Sequence, residues 1–176
     1  MILKIDEAIF FFFQDLQRPW LDYFLAWPTY FGHTIVALSL TVGGIVLFDK
    51  SRNPEKISFA TLGILATYWT TQAAKLLFNR PRPHVFFEYV NVIFDKPLNN
   101  AFPSGHTSIV FAAAFMLNYL YPDKARWTYA VAVWVAVTRL YVGAHYPTDL
   151  LGGAVLGMAS AAFACFVFKR LRAVKD

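Results

Sequence analysis

The chain has almost no cysteine. Cys165 stands alone among 176 residues, inside an apolar run, which excludes a disulfide framework and leaves the redox compartment open. Charged residues are scarce as well, 15% of the total, too few to coat a water-soluble domain of this size. The first residues lack the basic start and small-residue cleavage site of a signal peptide. There is no HExxH and no second cysteine to set zinc-ligand spacing. Internal repeats, low-complexity tracts and linkers are missing too, so residues 1–176 read as one domain.

Apolar side chains are abundant. Hydrophobic residues make up 57% of the chain, with 18 Phe, and the mean hydropathy is positive. They gather in five blocks, 31–48, 57–78, 105–121, 127–143 and 150–168, each close to the length that crosses ~30 Å of hydrocarbon. Blocks such as "VALSLTVGGIVLF" and "AVLGMASAAFACFVF" show no polar face at the 3.6-residue period that a helix of a soluble bundle needs. The expected fold is therefore an all-α integral membrane protein, a bundle of five transmembrane helices. Residues 1–30 differ. Lys4, Asp6, Glu7 and Asp15 mix with the Phe10–Phe13 run, Pro19 breaks the pattern, and Trp20 and Trp27 follow. This predicts an interfacial amphipathic helix with aromatic anchors at headgroup depth. The alternative is a short sixth span.

A net charge of +5 invites nucleic acid as a partner, but the distribution of charge argues against it. Lys50, Arg52 and Lys56 lie between the first two blocks, Lys124 and Arg126 between the third and fourth, and Lys169, Arg170, Arg172 and Lys175 in the tail. With five spans all three segments share one side, which the positive-inside rule makes cytoplasmic. The long 79–104 loop and the 143–149 link then face outward, and the unusual polar residues collect there. Lys75 ends the second block, and Arg80 and Arg82 alternate with Pro81 and Pro83. Ser104, Gly105 and His106 open the third block, Arg139 nears the end of the fourth, and His145 and Asp149 open the fifth.

Lys75, Arg82 and Arg139 around a Ser-Gly helix start describe a cage for a multiply charged oxyanion. Free N–H groups and the helix dipole point at the anion, and Gly105 lets it approach the backbone. Two histidines can then divide phosphoryl transfer, one attacking phosphorus and one protonating the leaving oxygen. Asp149, one turn after His145, is spaced to hold the nucleophile's second ring nitrogen. His106, His145 and Asp149 alone make a poor metal site, and neither a metal nor another cofactor is expected. His33 and His84 lack such company and read as ordinary histidines. An anion channel or lipid transporter is the alternative from another class, but it would need polar residues along several spans.

These residues also carry a family resemblance. "KLLFNRPRP" resembles the first signature of the membrane-bound type-2 phosphatidic acid phosphatase superfamily through Lys75, Arg82 and Pro83. "PSGH" at 103–106 matches the second, and "TRLYVGAHYPTD" resembles the third through Arg139, His145 and Asp149, with Thr138 in place of Ser. The resemblance implies a metal-independent lipid phosphatase with His145 as nucleophile and His106 as general acid. Lys75, Arg82, Ser104, Gly105 and Arg139 would bind the phosphoryl oxygens. Arg80 lies outside the signature, so its loss is expected to be mild. The implied substrate is an envelope lipid phosphate or diphosphate in a bacterial plasma membrane. Lipid A 1-phosphate is placed slightly ahead of undecaprenyl diphosphate, then phosphatidylglycerol phosphate and phosphatidic acid. Oligomeric state cannot be read, since the small residues of "GGAVLGMASAA" suit close packing within or between chains.

The charge pattern yields a topology that can be checked directly. A membrane-impermeant thiol reagent should label Asn91→Cys in intact cells and spare Lys175→Cys; the reverse pattern would invert the protein.

Overall fold

The computed structural model describes residues 4–49, 53–94 and 96–173, with the backbone alone for 172 and 173. Three of the basic residues used above for topology, Lys50, Arg52 and Lys175, lie outside the described residues. The described chain is all-α: α1 Lys4–Asp15, α2 Pro19–Leu25, a 3-10 turn Trp27–Gly32, α3 Thr34–Phe48, α4 Pro54–Phe78, a single turn α5 Pro83–Phe86, α6 Gly105–Leu120, α7 Thr128–Tyr141 and α8 Pro147–Ala173.

The five apolar blocks correspond to α3, α4, α6, α7 and α8, with ends displaced by a few residues. Local chemistry explains the displacements. Pro54 and Pro147 start their helices earlier than the hydrophobic pattern does, at positions where a missing N–H costs nothing. The Asn53 side chain caps α4 by accepting from the Glu55 N–H at 2.9 Å. Asn79, in the left-handed region at φ 42°, ends it.

α6 is the centre of the bundle and packs against α3, α4, α7, α8 and the 3-10 turn. The α6–α8 crossing is close because α8 presents glycine there. A Cβ on Gly157 would sit 2.2 Å from the Ser108 carbonyl oxygen, and one on Gly153 would sit 2.7 Å from that of Ser104. The small-residue pattern of α8 is thus used within the chain. Lower in the bundle Ile109, Ala112 and Met116 of α6 close a core with Ile64 of α4 and Ala161 and Cys165 of α8.

Outside this core the surface stays apolar. Leu47, Leu76, Leu77, Leu151 and Phe163 are all exposed. By length and composition Pro147–Leu171 can cross a bilayer on its own. Pro19–Gly32 with Thr34–Phe48 passes the same test as a pair, but with an 80° bend between the two parts. That bend, at the extended residue His33, lays the segment before α3 across the end of the bundle where α4 and α7 finish and α6 and α8 begin. α1 joins it there, turned unexpectedly. It buries Asp6 and Phe10 against the bundle and exposes Ile5 and Phe12, so its apolar flank faces away from the protein.

The glycine contact at the crossing predicts a stability effect. Gly157→Ala should cost about 1–3 kcal/mol through overpacking, seen as a lower Tm in detergent, whereas Gly43→Ala, whose Cβ would meet nothing within 4 Å, should not.

Candidate active site

At this end of the bundle the residues picked out from sequence meet. A cavity of ≈ 280 Å³ is lined by Lys75, Arg82, Gly105, His106, Arg139 and His145, with His33, Tyr68, Gln72 and Asn99 completing much of its wall. Three cations share it, and among the described residues no carboxylate lines it.

Each cation is held by neutral oxygen. Lys75, in the last turn of α4, donates from Nζ to the Asn100 carbonyl at 2.5 Å, and Asn100 Nδ2 returns a bond to the Lys75 carbonyl at 2.9 Å. Arg82 donates to the Asn99 carbonyl, the Asn99 side-chain oxygen and the Ala144 carbonyl at 2.7, 2.5 and 2.7 Å. Burial pulls its guanidinium down to about 10, so it stays charged at neutral pH. Arg139 donates from Nη1 to Thr29 of the 3-10 turn, while its Nε is buried without a partner among the described residues.

The histidines are positioned by turns. His106 stands on the first turn of α6, closely covered by Gly32, where a Cβ would come within 2.6 Å of the His106 Cβ. His145 lies in the short link between α7 and α8. Gly143, at φ +78°, makes the sharp turn into it, and a Cβ there would strike the Asn91 carbonyl oxygen at 2.6 Å. Nε2 of His145 is 3.1 Å from Arg82 Nη1, which can only donate, and Nδ1 is 3.4 Å from Asp149 Oδ2. This pattern puts the ring proton on Nδ1 and leaves the Nε2 lone pair on the cavity side. Burial first, then Arg82, Arg139 and Lys75, holds the imidazole well below its ordinary pKa, so it is neutral.

Two residues from the sequence reading stand one layer back. Ser104 and Asp149 are fully buried and do not line the cavity. Ser104 precedes α6, its hydroxyl accepts from Thr107 at 3.1 Å, and its N–H donates to the Asp149 carbonyl at 2.9 Å. That last bond ties the head of α6 to the head of α8. The Thr138 hydroxyl bonds back to the Val135 carbonyl of its own helix at 2.6 Å.

Sequence reasoning missed two things here. His33, read as ordinary, is on the cavity wall, whereas His84 is not. The signal was available in α4, where Tyr68, Thr71, Gln72 and Lys75 form a polar stripe at i, i+3, i+4 and i+7 leading to the cavity. Arg80, expected to stand apart, is bonded to Asp149 Oδ1 at 2.7 Å and to Asp6 Oδ2 at 2.8 Å. Asp6 in turn accepts from the Thr148 N–H and hydroxyl at 3.0 and 2.6 Å. Burial alone would raise the Asp6 carboxyl, but the Thr148 and Arg80 bonds hold it below its ordinary value.

The sequence profile of the PAP2 superfamily matches residues 56–172. The chain belongs to that superfamily. Within it, the chain is similar to the bacitracin transport permease protein BcrC of Bacillus licheniformis, 29% identical over 96% of this chain and 82% of the relative. It is also similar to a lipid A 1-phosphatase of Rhizobium johnstonii, 37% identical over 54% of this chain and 41% of that protein. The crystal structure of Aquifex aeolicus LpxE superposes with a TM-score of 0.78 at 28% identity, covering 93% of this chain and 96% of that one. α1, α2 and α3 all precede the segment that matches the PAP2 profile.

Gly105 provides a test of what the cavity is for. A Cβ there would meet nothing closer than Lys75 Cε at 3.9 Å, so the protein itself has room for alanine. Gly105→Ala should keep its Tm, even gain slightly in helix propensity, yet lose most of its activity because the methyl occupies the anion's place.

Proposed function

We propose that this PAP2 protein is a membrane lipid phosphatase that removes the terminal phosphate of an envelope lipid through a phosphohistidine on His145. The observation that carries the reading is the cavity with three cations, two histidines of the family signatures and, among the described residues, no carboxylate. Such a wall repels a cationic ligand and suits an oxyanion with several charges.

The chemistry follows from the positions. The neutral Nε2 of His145 attacks phosphorus in line with the leaving lipid oxygen, and His106 gives that oxygen a proton as the P–O bond breaks. Charge on the phosphoryl oxygens is met by Lys75, Arg82, Arg139 and the Gly105 N–H at the head of α6. Ser104, which accepts from Thr107 and keeps its own hydrogen to give, supports the same side. Asp149 accepts the Nδ1 proton of His145 and stabilises the cationic phosphohistidine. His106, now deprotonated, then takes a proton from water as that water attacks phosphorus, and His145 leaves neutral.

The lipid substrate suits the rest of the fold. A second, apolar cavity of ≈ 470 Å³ lies between α3, α6 and α7, with Phe31 on its wall, adjacent in sequence to Gly32 and His33 of the polar one. A headgroup in the first can leave its tail against the second. The reading has five spans, the site on the outer face, and the carboxyl terminus inside. Lipid A 1-phosphate remains the favoured substrate, supported by the relative that bears that name. Undecaprenyl diphosphate is next.

Transport is the second reading, since a relative covering nearly the whole chain is named a permease. A pathway would have to continue past the cavity, where Ile109, Ala112 and Met116 are packed tight. Release of inorganic phosphate from a short-chain lipid phosphate by purified protein separates the two; no release would leave transport standing.

The phosphoenzyme should be acid-labile and alkali-stable, and His145→Ala should abolish both it and turnover. Chelators should leave the rate unchanged, because Lys75, Arg82 and Arg139 already supply the charge. Loss of activity with chelator and recovery with magnesium would sink the mechanism. Arg82→Lys keeps the charge but cannot hold Asn99 and Ala144 together, and should lose about 2–4 kcal/mol of transition-state stabilisation in kcat/KM.

A further inference from the structure

Arg80, Asp6 and Thr148 form a partly buried network that the phosphoryl chemistry above does not use. Arg80 spreads its guanidinium between two carboxylates, with Nη1 on Asp149 and Nη2 on Asp6. Nη1 also reaches the Thr148 hydroxyl at 2.6 Å, and the group packs 4.5 Å from the Tyr146 ring centre. Asp6 is 1% exposed and Asp149 0%. Two carboxylates this deep are costly without a cation to share, and Arg80 is that cation. Asp6 does a second job. By accepting the Thr148 N–H it satisfies a free donor at the head of α8, as an N-cap would, but from a helix 142 residues away.

We propose that Asp6 and Arg80 are positioning residues for the His145–Asp149 pair, so that α1 is part of the catalytic apparatus although it precedes the PAP2-matched segment. The network fixes three things at once. Arg80 holds Asp149 Oδ1, which leaves Oδ2 directed at His145 Nδ1 and the Tyr146 N–H. Its charge favours the ionised carboxylate, which accepts a hydrogen bond from the imidazole Nδ1–H and balances a cationic phosphohistidine. Asp6 locks the first turn of α8, from which Asp149 projects. The groups facing Asp149 are Asp6 from α1, Lys75 from α4, Arg80 and Arg82 from the following loop, and His145 and Tyr146 from its own turn. The backbone of Ser104 contacts it from the head of α6, where His106 follows. Of the cations, Arg80 alone bonds to it among the described residues.

The proposal rests on the reading of Asp149 given above, and the experiment separates the two. Purified full-length protein in detergent is assayed for phosphate release from a short-chain phosphatidic acid, comparing Arg80→Met, Arg80→Lys, Asp6→Asn and Asp149→Asn, and each of the first three combined with Asp149→Asn. Arg80→Met should lower kcat about 10- to 100-fold with KM and vanadate inhibition little changed. It should also move the acid limb of the pH profile up by about one to two units, since removing a cation favours protonation of Asp149. Arg80→Lys should keep the normal pH limb with a smaller loss in kcat, and Asp6→Asn should lower kcat severalfold. In the Asp149→Asn background all three should add almost nothing, because they act through the carboxylate already removed. Should Arg80→Met fail to fold, the lysine and asparagine variants carry the same non-additivity test. Losses that add to Asp149→Asn, or a raised KM with an unmoved pH limb, would refute the positioning role while leaving Asp149 in place. Full activity in Asp149→Asn would overturn the reading of Asp149 itself, and this proposal with it.

Discussion

Like charges gathered in an apolar bundle are the constraint around which this fold is built. Lys75, Arg82 and Arg139 face one small cavity with no carboxylate on its wall among the described residues, in surroundings where Coulomb repulsion is poorly screened. The protein meets that cost with dipoles. The Asn99, Asn100 and Ala144 carbonyls, the Asn99 amide oxygen and the Thr29 hydroxyl take the donors. None of these oxygens carries a full charge, so the positive potential of the cavity is held in place without being cancelled. An anion entering it meets donors that are already oriented.

The surrounding elements follow from that need. α6 must end its helical bonding at the cavity to offer free N–H groups, and α8 must cross it closely enough to bring Asp149 beneath His145. Glycines at 153 and 157 make that approach sterically feasible. The 79–104 loop is long because it supplies carbonyl oxygens to two of the cations, which a short connection could not do. The 3-10 turn before α3 folds over at 80° and supplies the hydroxyl for Arg139, placing Gly32 on His106 at the same time. One end of the bundle is thus a polar assembly of residues far apart in the chain, and beneath it α4, α6 and α8 meet in hydrocarbon packing.

Much of this was legible in sequence for a simple reason. The all-α bundle could be read because apolar blocks of span length have few alternatives, and the starts of α4 and α8 moved because Pro54 and Pro147 set them. The signature residues could be read because Lys75, Arg82, His106, Arg139 and His145 are chemically expensive in such a chain. What was not legible depends on three-dimensional partnership. Asp6 looked like one charge among several on an amphipathic helix, and nothing local says that its helix turns that face inward. Arg80 looked like a neighbour of the signature because its partners are 69 and 74 residues away. His33 sits at a bend whose direction no periodicity reports. Ser104 was expected against the phosphoryl oxygens but lies one layer back from the cavity, since spacing along a helix does not give depth.

The bond between Asp6 and Thr148 also bears on when the molecule becomes competent. α1 is synthesised before α8, and its partner at the head of α8 is 142 residues behind it. Until α8 is inserted, the nascent chain carries the signature cations of α4, its loop and α7 without Asp149 beneath them. Insertion of α8 brings the carboxylate beside His145, the counter-charge for Arg80 and the docking point for α1 in one step. The polar assembly is therefore complete only once α8 is in place, and a chain cut before α8 holds the basic pocket residues without the carboxylate that sits beneath them.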